Sequence, residues 1–257
     1  MNKQIDINSK SIVKEIVVKN YQTAKVFEKH GIDFCHRGDS PLYIAVEKIE
    51  INIAELIDEL VNTSKIEDTT DERYDEWNLS FLSQYIVNNH HAYIKQTVPR
   101  INELLSKIEN RHGDKHTHIF TVNKLFQKIS NGIINHMLKE EKYLFPHIKY
   151  LEDCRFFNER PKMSRYETIK KSIQIMEQEH LGAGNIVAEI KNVTNNYSLP
   201  VDACATFTLT YKELEEFEKN LRKHVHLENN ILFPKAIKLE EDLLKTQKMQ
   251  SISKSTQ

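Results

Sequence analysis

The sequence predicts an all-α protein in which a four-helix bundle follows a small helical unit. Only 6 Gly and 6 Pro occur among 257 residues, which argues against a loop-rich β architecture. Four long segments also carry apolar residues at alternating spacings of four and three. A sustained period of about 3.5 residues is typical of helices packed in a bundle. These segments cover residues 87–108, 122–147, 169–190 and 203–231, and Ile101, Phe126 and Tyr143 are among the positions expected to face the core.

Histidines interrupt the apolar seam of each segment. His91 interrupts the first seam and His180 the third. The second and fourth seams carry a repeated motif, which reads HMLKEEKYLFP at His136–Pro146 and HVHLENNILFP at His224–Pro234. Both copies fit H-x-x-x-E-x-x-x-L-F-P. Because side chains four apart share a helix face, each copy offers an imidazole and a carboxylate in one direction.

A single histidine–glutamate pair on a helix is usually solvated, but here the pair recurs on seams that face a core. Buried charge without a partner is costly, and metal ions would supply the partner. Imidazole and carboxylate without thiolate suit iron or manganese, with zinc as an alternative, and two bridging glutamates imply two ions. The sequence therefore predicts six metal ligands: His91, His136, Glu140, His180, His224 and Glu228. Glu141 lies one residue further round the helix than Glu140 and is expected to be dispensable.

The other histidines of the bundle are not expected to be ligands. His90 and His226 lie beside the seams and point away from them. His147 lies on its seam, but Lys235 takes the matching position in the second copy, which indicates that this level reaches solvent. The three histidines of the RHGDKHTH connection at 111–118 are expected at the surface.

The chain is expected to divide into four regions. These are a small helical N-terminal domain at 1–62, a polar linker at 63–75, the bundle at 76–240 and a polar, frayed tail at 241–257. Ser164 and Glu167 predict a capping box before the third bundle helix. Since a polar linker lets the small domain move independently, we expect the bundle to bind its metals without that domain.

Composition narrows the cellular context. The net charge of −1, with no evident basic face, argues against nucleic acid as a partner. Three widely spaced cysteines form no disulfide framework and suit a reducing compartment. The N-terminus lacks the apolar core of a secretion signal, and no apolar stretch reaches the length of a membrane span. We therefore expect a cytoplasmic protein with no membrane partner.

The motifs together resemble a known family. The two repeated segments, with His91 and His180, look like the hemerythrin-like di-iron bundle. EQEH at 177–180, HLENNILFP at 226–234 and HGIDFC at 30–35 are similar to the RIC family of iron–sulfur cluster repair di-iron proteins of ScdA type, over nearly the whole chain. The resemblance implies an oxo- and carboxylate-bridged pair of iron ions. It also implies damaged iron–sulfur proteins as partners. The sequence leaves the oligomeric state open, with a homodimer as one candidate.

The N-terminal loop departs from the family pattern. Family members usually read DFCCGG, whereas this chain reads DFCHRG at 33–38, so that His36 replaces the second cysteine. Beside His36 and Arg37, Cys35 is a candidate redox thiol or metal ligand, with a buried structural cysteine as the alternative. Cys154 and Cys204 lack such a context and are interpreted as small core or surface residues.

By resemblance, the expected function is repair of iron–sulfur clusters damaged by nitrosative or oxidative stress, by supplying iron. Two alternatives stay open. Open metal positions could bind nitric oxide or dioxygen and reduce it, which would make the protein an enzyme. The bundle could also be a di-iron sensor module, although no output domain is recognised in the sequence.

Overall fold

The computed structural model describes residues 6–47, 49, 51–64, 73–161 and 168–255, with side chains to residue 245. These residues form helices and no β-strand, which confirms the predicted all-α class. The predicted capping box at 164–167 and most of the predicted linker lie outside the described residues. The chain forms two compact units, Met1–Asn78 with Val225–Pro234, and Leu79–His224 with Lys235–Gln257.

The described residues of the first unit form four short helices: α1 (Val13–Lys19), α2 (Ala24–Lys29), α3 (Leu42–Ala45) and α4 (Ile53–Ser64). Their core is apolar, and its fully buried members include Val13, Val17, Phe27, Phe34, Leu42, Leu56 and Leu60. Helix α2 stops at Gly31, whose φ of 67° lies in the left-handed region that glycine adopts without strain. The backbone N–H of Ile32 then donates to the carbonyl of Phe27 at 2.8 Å, which caps the helix.

The loop after α2 is held by the carboxylate of Asp33. It accepts the backbone N–H groups of Cys35 and His36, both at 3.0 Å, and the His36 Nδ1 atom lies 3.3 Å from Asp33 Oδ2. Burial raises the pKa of Asp33, but the hydrogen bonds and charge of His36 outweigh burial and bring the pKa to about 2. The ionised carboxylate therefore fixes the backbone of the DFCHRG loop.

Residues 225–234 belong to the same unit. The side-chain amide of Asn230 donates to the carbonyl of Phe34 at 3.0 Å, and its nitrogen lies 2.9 Å from His226 Nδ1. The His226 ring is buried, with its centroid 5.4 Å from the Tyr21 ring and 5.8 Å from the Phe34 ring. The sequence indicated only that His226 points away from its helix seam, and it did not predict that the ring packs against this loop.

The second unit is built from long helices, which are α5 (Leu79–Ile86), α6 (Ala92–His112), α7 (His118–Lys139), α8 (Phe145–Phe156), α9 (Ile169–Val193), α10 (Ala205–His226) and α11 (Phe233–Ser255). Helices α6 and α9 both pack against α7, and α5 packs against α8. The backbone of α11 is helical to Ser255, where the sequence predicted a frayed tail. Among the described helices, none combines the length and apolar character that a bilayer span requires.

Carboxylates from distant helices cap two helix starts in this unit. Glu152 accepts the backbone N–H groups of Leu79 and Ser80 at 2.7 and 2.8 Å, and Glu240 accepts that of Ile169 at 3.1 Å. A helix N-terminus leaves N–H donors unpaired and favours negative charge, so both contacts stabilise the helix ends. They also fix where α5 begins against α8.

Three wider, π-helical turns interrupt the long helices, and the sequence did not predict them. Val87–His91 joins α5 to α6, Glu140–Leu144 joins α7 to α8, and Leu227–Leu232 joins α10 to α11. A proline follows the last two turns, and a wider turn relieves the clash of a proline ring with the preceding turn. Each turn also shifts the helix phase. Tyr143, predicted on the apolar seam, is consequently 72% exposed, and the adjacent Leu144 is buried instead.

Candidate metal centre

The structure brings all six predicted ligands together in two overlapping groups. Within each group the ligand atoms lie within 4.8 Å of one another. The first group is His91, Glu140, His224 and Glu228, and the second is His136, Glu140, His180 and Glu228. All six side chains are buried. Both glutamates belong to both groups, and each lies in a π-helical turn, a feature that is common at functional sites.

The histidines form two close pairs with Glu140 between them. The Nε2 atoms of His91 and His224 are 3.2 Å apart, and those of His136 and His180 are 2.8 Å apart. Glu140 Oε2 lies 3.4 Å from His91 Nε2, whereas Glu140 Oε1 lies 3.2 Å from His136 Nε2. One carboxylate thus directs one oxygen to each histidine pair, which is the arrangement of a bridging ligand.

Outer carboxylates orient two of the rings. His91 Nδ1 lies 2.8 Å from Glu141 Oε1, and His136 Nδ1 lies 2.8 Å from Glu179 Oε2. A ring that donates its Nδ1–H to a carboxylate leaves, in its neutral form, a lone pair on Nε2. In both rings this lone pair is directed at the centre.

Lysines keep these outer carboxylates ionised. The Lys95 ammonium donates to both oxygens of Glu141, at 2.7 and 3.0 Å, and the Lys139 ammonium donates to Glu179. Burial raises the pKa of each glutamate, but the lysine and histidine hydrogen bonds outweigh it and lower the pKa overall. From the sequence, Glu141 is expected to be dispensable and Glu179 has no assigned role, although Glu141 directly follows Glu140 and Glu179 directly precedes His180.

The donor set fits a pair of divalent cations. Two fully buried carboxylates would be costly without compensating positive charge, and four imidazoles converge beside them. Imidazole and carboxylate ligands without thiolate match iron, manganese or zinc. Cysteine does not contribute, because none of the three cysteines belongs to either group.

The remaining candidate residues lie outside both groups. His90 is buried rather than solvent-facing, its Nδ1 lies 3.2 Å from Asn220 Oδ1, and its ring stacks on His224 with centroids 5.8 Å apart. His147 is half-buried. Cys35 is 3% exposed, and its carbonyl accepts from the Asn229 side chain at 3.5 Å. Its burial is compatible with the structural role that the sequence left open.

Two family models match parts of this chain, and its relatives in known proteins share one functional name. The family model described as "Hemerythrin HHE cation binding domain" matches residues 83–236, and ScdA_N, described as a domain of unknown function, matches residues 9–64. A probable iron–sulfur cluster repair protein of Haemophilus influenzae is 31% identical and shares 88% of this chain and 96% of its own length. Iron–sulfur cluster repair protein ScdA of Staphylococcus haemolyticus is 29% identical, over 89% and 99%. YtfE of Yersinia pseudotuberculosis, named likewise, is 30% identical, over 85% and 93%.

Proposed function

Because this chain belongs to the family of hemerythrin-like iron–sulfur cluster repair proteins, we propose that it binds two iron ions and repairs iron–sulfur clusters damaged by nitric oxide or oxidants. The names of its relatives support the repair role, since the similarity covers 85–89% of the chain. The buried cluster of histidines and glutamates supports the binding of iron. Damaged iron–sulfur proteins are the partners in this proposal.

The proposed ligand sets follow the two groups of side chains. His91 and His224 would hold one iron, and His136 and His180 would hold the other. Glu140 and Glu228, which belong to both groups, would be ligands of both ions. The observation that carries this assignment is the position of Glu140, whose two oxygens face different histidine pairs. The bound ions would supply a change of oxidation state and a releasable ferrous ion.

The protein's own side chains prepare the centre for this role. Glu141 and Glu179 fix the rings of His91 and His136 and hold the proton on Nδ1. The ring of Phe145 packs at 5.8 Å from the His91 ring and helps exclude water. Histidine and carboxylate ligands hold ferrous iron less tightly than a thiolate cage does. This chemistry favours transfer of iron, here the cargo, to a cluster that lacks it.

The first test is the metal content of the full chain after anaerobic loading with ferrous iron. We expect two irons per chain in the wild type and a clear loss in His91→Ala and in His180→Ala. His147→Ala is the matched control and should retain the wild-type content. One zinc per chain, or no iron at all, would refute the dinuclear centre.

The second test is repair itself. A dehydratase whose [4Fe–4S] cluster has been damaged by nitric oxide is mixed with the iron-loaded protein, and recovery of its activity is followed. We expect recovery with wild type and none with His180→Ala that has been taken through the same iron-loading procedure. Recovery at the same rate with an equal amount of free ferrous iron would contradict the proposal. Consumption of nitric oxide without recovery would favour a reductase instead.

A further inference from the structure

A second group of metal-binding side chains lies far from the candidate centre. His112 ends α6, 21 residues after His91, which corresponds to about 30 Å along a helix. His112 Nε2 lies 3.2 Å from Cys204 Sγ, and His116 Nε2 lies 3.1 Å from Asp202 Oδ1. From the sequence, these histidines are expected at the surface, and Cys204 is interpreted as a small core or surface residue.

The two pairs are neighbours. The ring centroids of His112 and His116 are 6.3 Å apart, and each ring packs edge-on against Phe207 at 5.7 Å. Phe207 is fully buried, and its contacts with both imidazole rings keep the two histidines near each other. His112 at the end of α6 and His116 in the following connection supply the imidazoles, and the segment before α10 supplies the carboxylate and the thiol. A cluster of one thiol, two imidazoles and one carboxylate results.

We propose that Cys204, His112, His116 and Asp202 bind one zinc ion, which ties the α6–α7 connection to the start of α10. Thiolate, imidazole and carboxylate are the three ligand types that zinc takes in proteins. With tetrahedral geometry and Zn–S and Zn–N bonds of about 2.3 and 2.0 Å, ligand atoms lie about 3.5 Å apart. The atoms of the His112–Cys204 and His116–Asp202 pairs, 3.2 and 3.1 Å apart, already lie close to that spacing.

Zinc binding requires the His112–Cys204 pair and the His116–Asp202 pair to move closer together, so that all four ligand atoms reach one ion. Among the described residues, only the candidate centre gathers three or more ligand atoms within 4.8 Å. Asp202 lies in a turn, and its other oxygen contacts the exposed ammonium of Lys115. Zinc would displace this lysine, and the thiol of Cys204 would lose its proton to solvent on binding. His118 is not included, because its Nε2 atom lies 2.8 Å from the Tyr211 hydroxyl.

The candidate iron centre contains no cysteine, so a thiolate-to-metal signal reports only on this second site. Iron-loaded full-length protein is titrated with Co²⁺, a spectroscopic substitute for zinc, and the thiolate-to-cobalt charge-transfer band is recorded with the iron content of the same sample. We expect one cobalt per chain, with the band, and unchanged iron. The band should disappear in Cys204→Ser and His112→Ala. It should persist in Cys35→Ser, the matched control.

Thermal unfolding with Zn²⁺ gives an independent measurement, since an ion that binds only the folded chain raises the Tm. We expect Zn²⁺ to raise the Tm of the iron-loaded wild type and of Cys35→Ser, but not that of Cys204→Ser. Absence of the band in wild type, or its persistence in Cys204→Ser, would overturn the proposal. Unaltered cobalt affinity in both His116→Ala and Asp202→Asn would overturn the four-ligand site. Iron content is the folding control, and we expect it to be equal in all variants.

Discussion

At the scale of single residues, the outer carboxylates are the part of the centre most open to test. Glu141 fixes the His91 ring through Nδ1 and is itself held by Lys95. Replacing it with glutamine keeps the size but removes the charge that makes the ring a stronger ligand. Such outer partners typically contribute 10–100-fold in metal affinity. We expect Glu141→Gln to lower iron affinity by about that factor, measured by competition with a ferrous chelator.

Glu103→Gln is the matched control for this prediction. Glu103 also lies against a lysine, Lys107, but both side chains are exposed and distant in sequence from any candidate ligand. Its replacement should leave iron affinity unchanged. The sequence alone indicated that Glu141 is dispensable. Wild-type affinity in Glu141→Gln would support that earlier interpretation and contradict the role inferred from the structure.

The sequence could predict some residues of the site and not others for a physical reason. His136 and Glu140 are four apart on one helix, so local geometry alone places them on one face. The contact of His136 with Glu179, 43 residues later, depends on which helices become neighbours. The same holds for His112 with Cys204, 92 residues apart. Periodicity identifies the face of a helix but not the partner that the face meets.

At the scale of elements, the helix period itself explains where the sequence reasoning failed. A constant period of about 3.5 correctly predicted buried positions such as Ile101 and Phe126. A π-helical turn adds to the number of residues per turn, so a constant period no longer identifies the buried face beyond it. For this reason the sequence predicted that Tyr143 is buried, whereas the structure buries Leu144. Because the turn is set by the fold around the proline, a regular pattern cannot reveal it.

The loop after α2 provides a pH-dependent prediction. The pKa of Asp33 is about 2 in the folded protein and 3.8 without the fold's contacts, so the ionised group stabilises the fold above about pH 4. That contribution is lost as pH falls from about 4 through about 2. Since Asp33 is partly exposed, we expect about 1–2 kcal/mol at pH 7.

The measurement compares urea unfolding of metal-free wild type and Asp33→Asn at several pH values. The free energy of unfolding should differ most near pH 7, and the difference should narrow below about pH 4. Asp39→Asn is the control, because Asp39 is largely exposed even though it pairs with Lys14. A difference that stays constant with pH would assign the effect to lost packing rather than to charge.

At the scale of the whole molecule, the segment 225–234 carries a candidate metal ligand and also contacts the N-terminal loop. Residues 225–234 group with the N-terminal part of the chain, although they follow it by about 150 residues. Within this segment, Glu228 belongs to both groups of candidate ligands, and Asn230 donates to the carbonyl of Phe34. The sequence predicted a metal centre that does not depend on the small domain. That independence stays a prediction, and the contact of Asn230 with Phe34 provides a way to test it, because it fixes the turn that carries Glu228 to the N-terminal loop.

The last prediction tests this dependence in the full chain. Asn230→Ala removes the donor to the Phe34 carbonyl and the amide beside His226 Nδ1. Losing a hydrogen bond to a buried group costs about 1–3 kcal/mol, so the segment should open more often. We expect ferrous iron to pass to a chelator at least about fivefold faster than from wild type, since about 1 kcal/mol corresponds to that factor. Asn135→Ala, an exposed residue that bonds only within its own helix, should release iron at the wild-type rate. If Asn230→Ala lowers the thermal stability but releases iron at the wild-type rate, the centre is independent of the N-terminal loop.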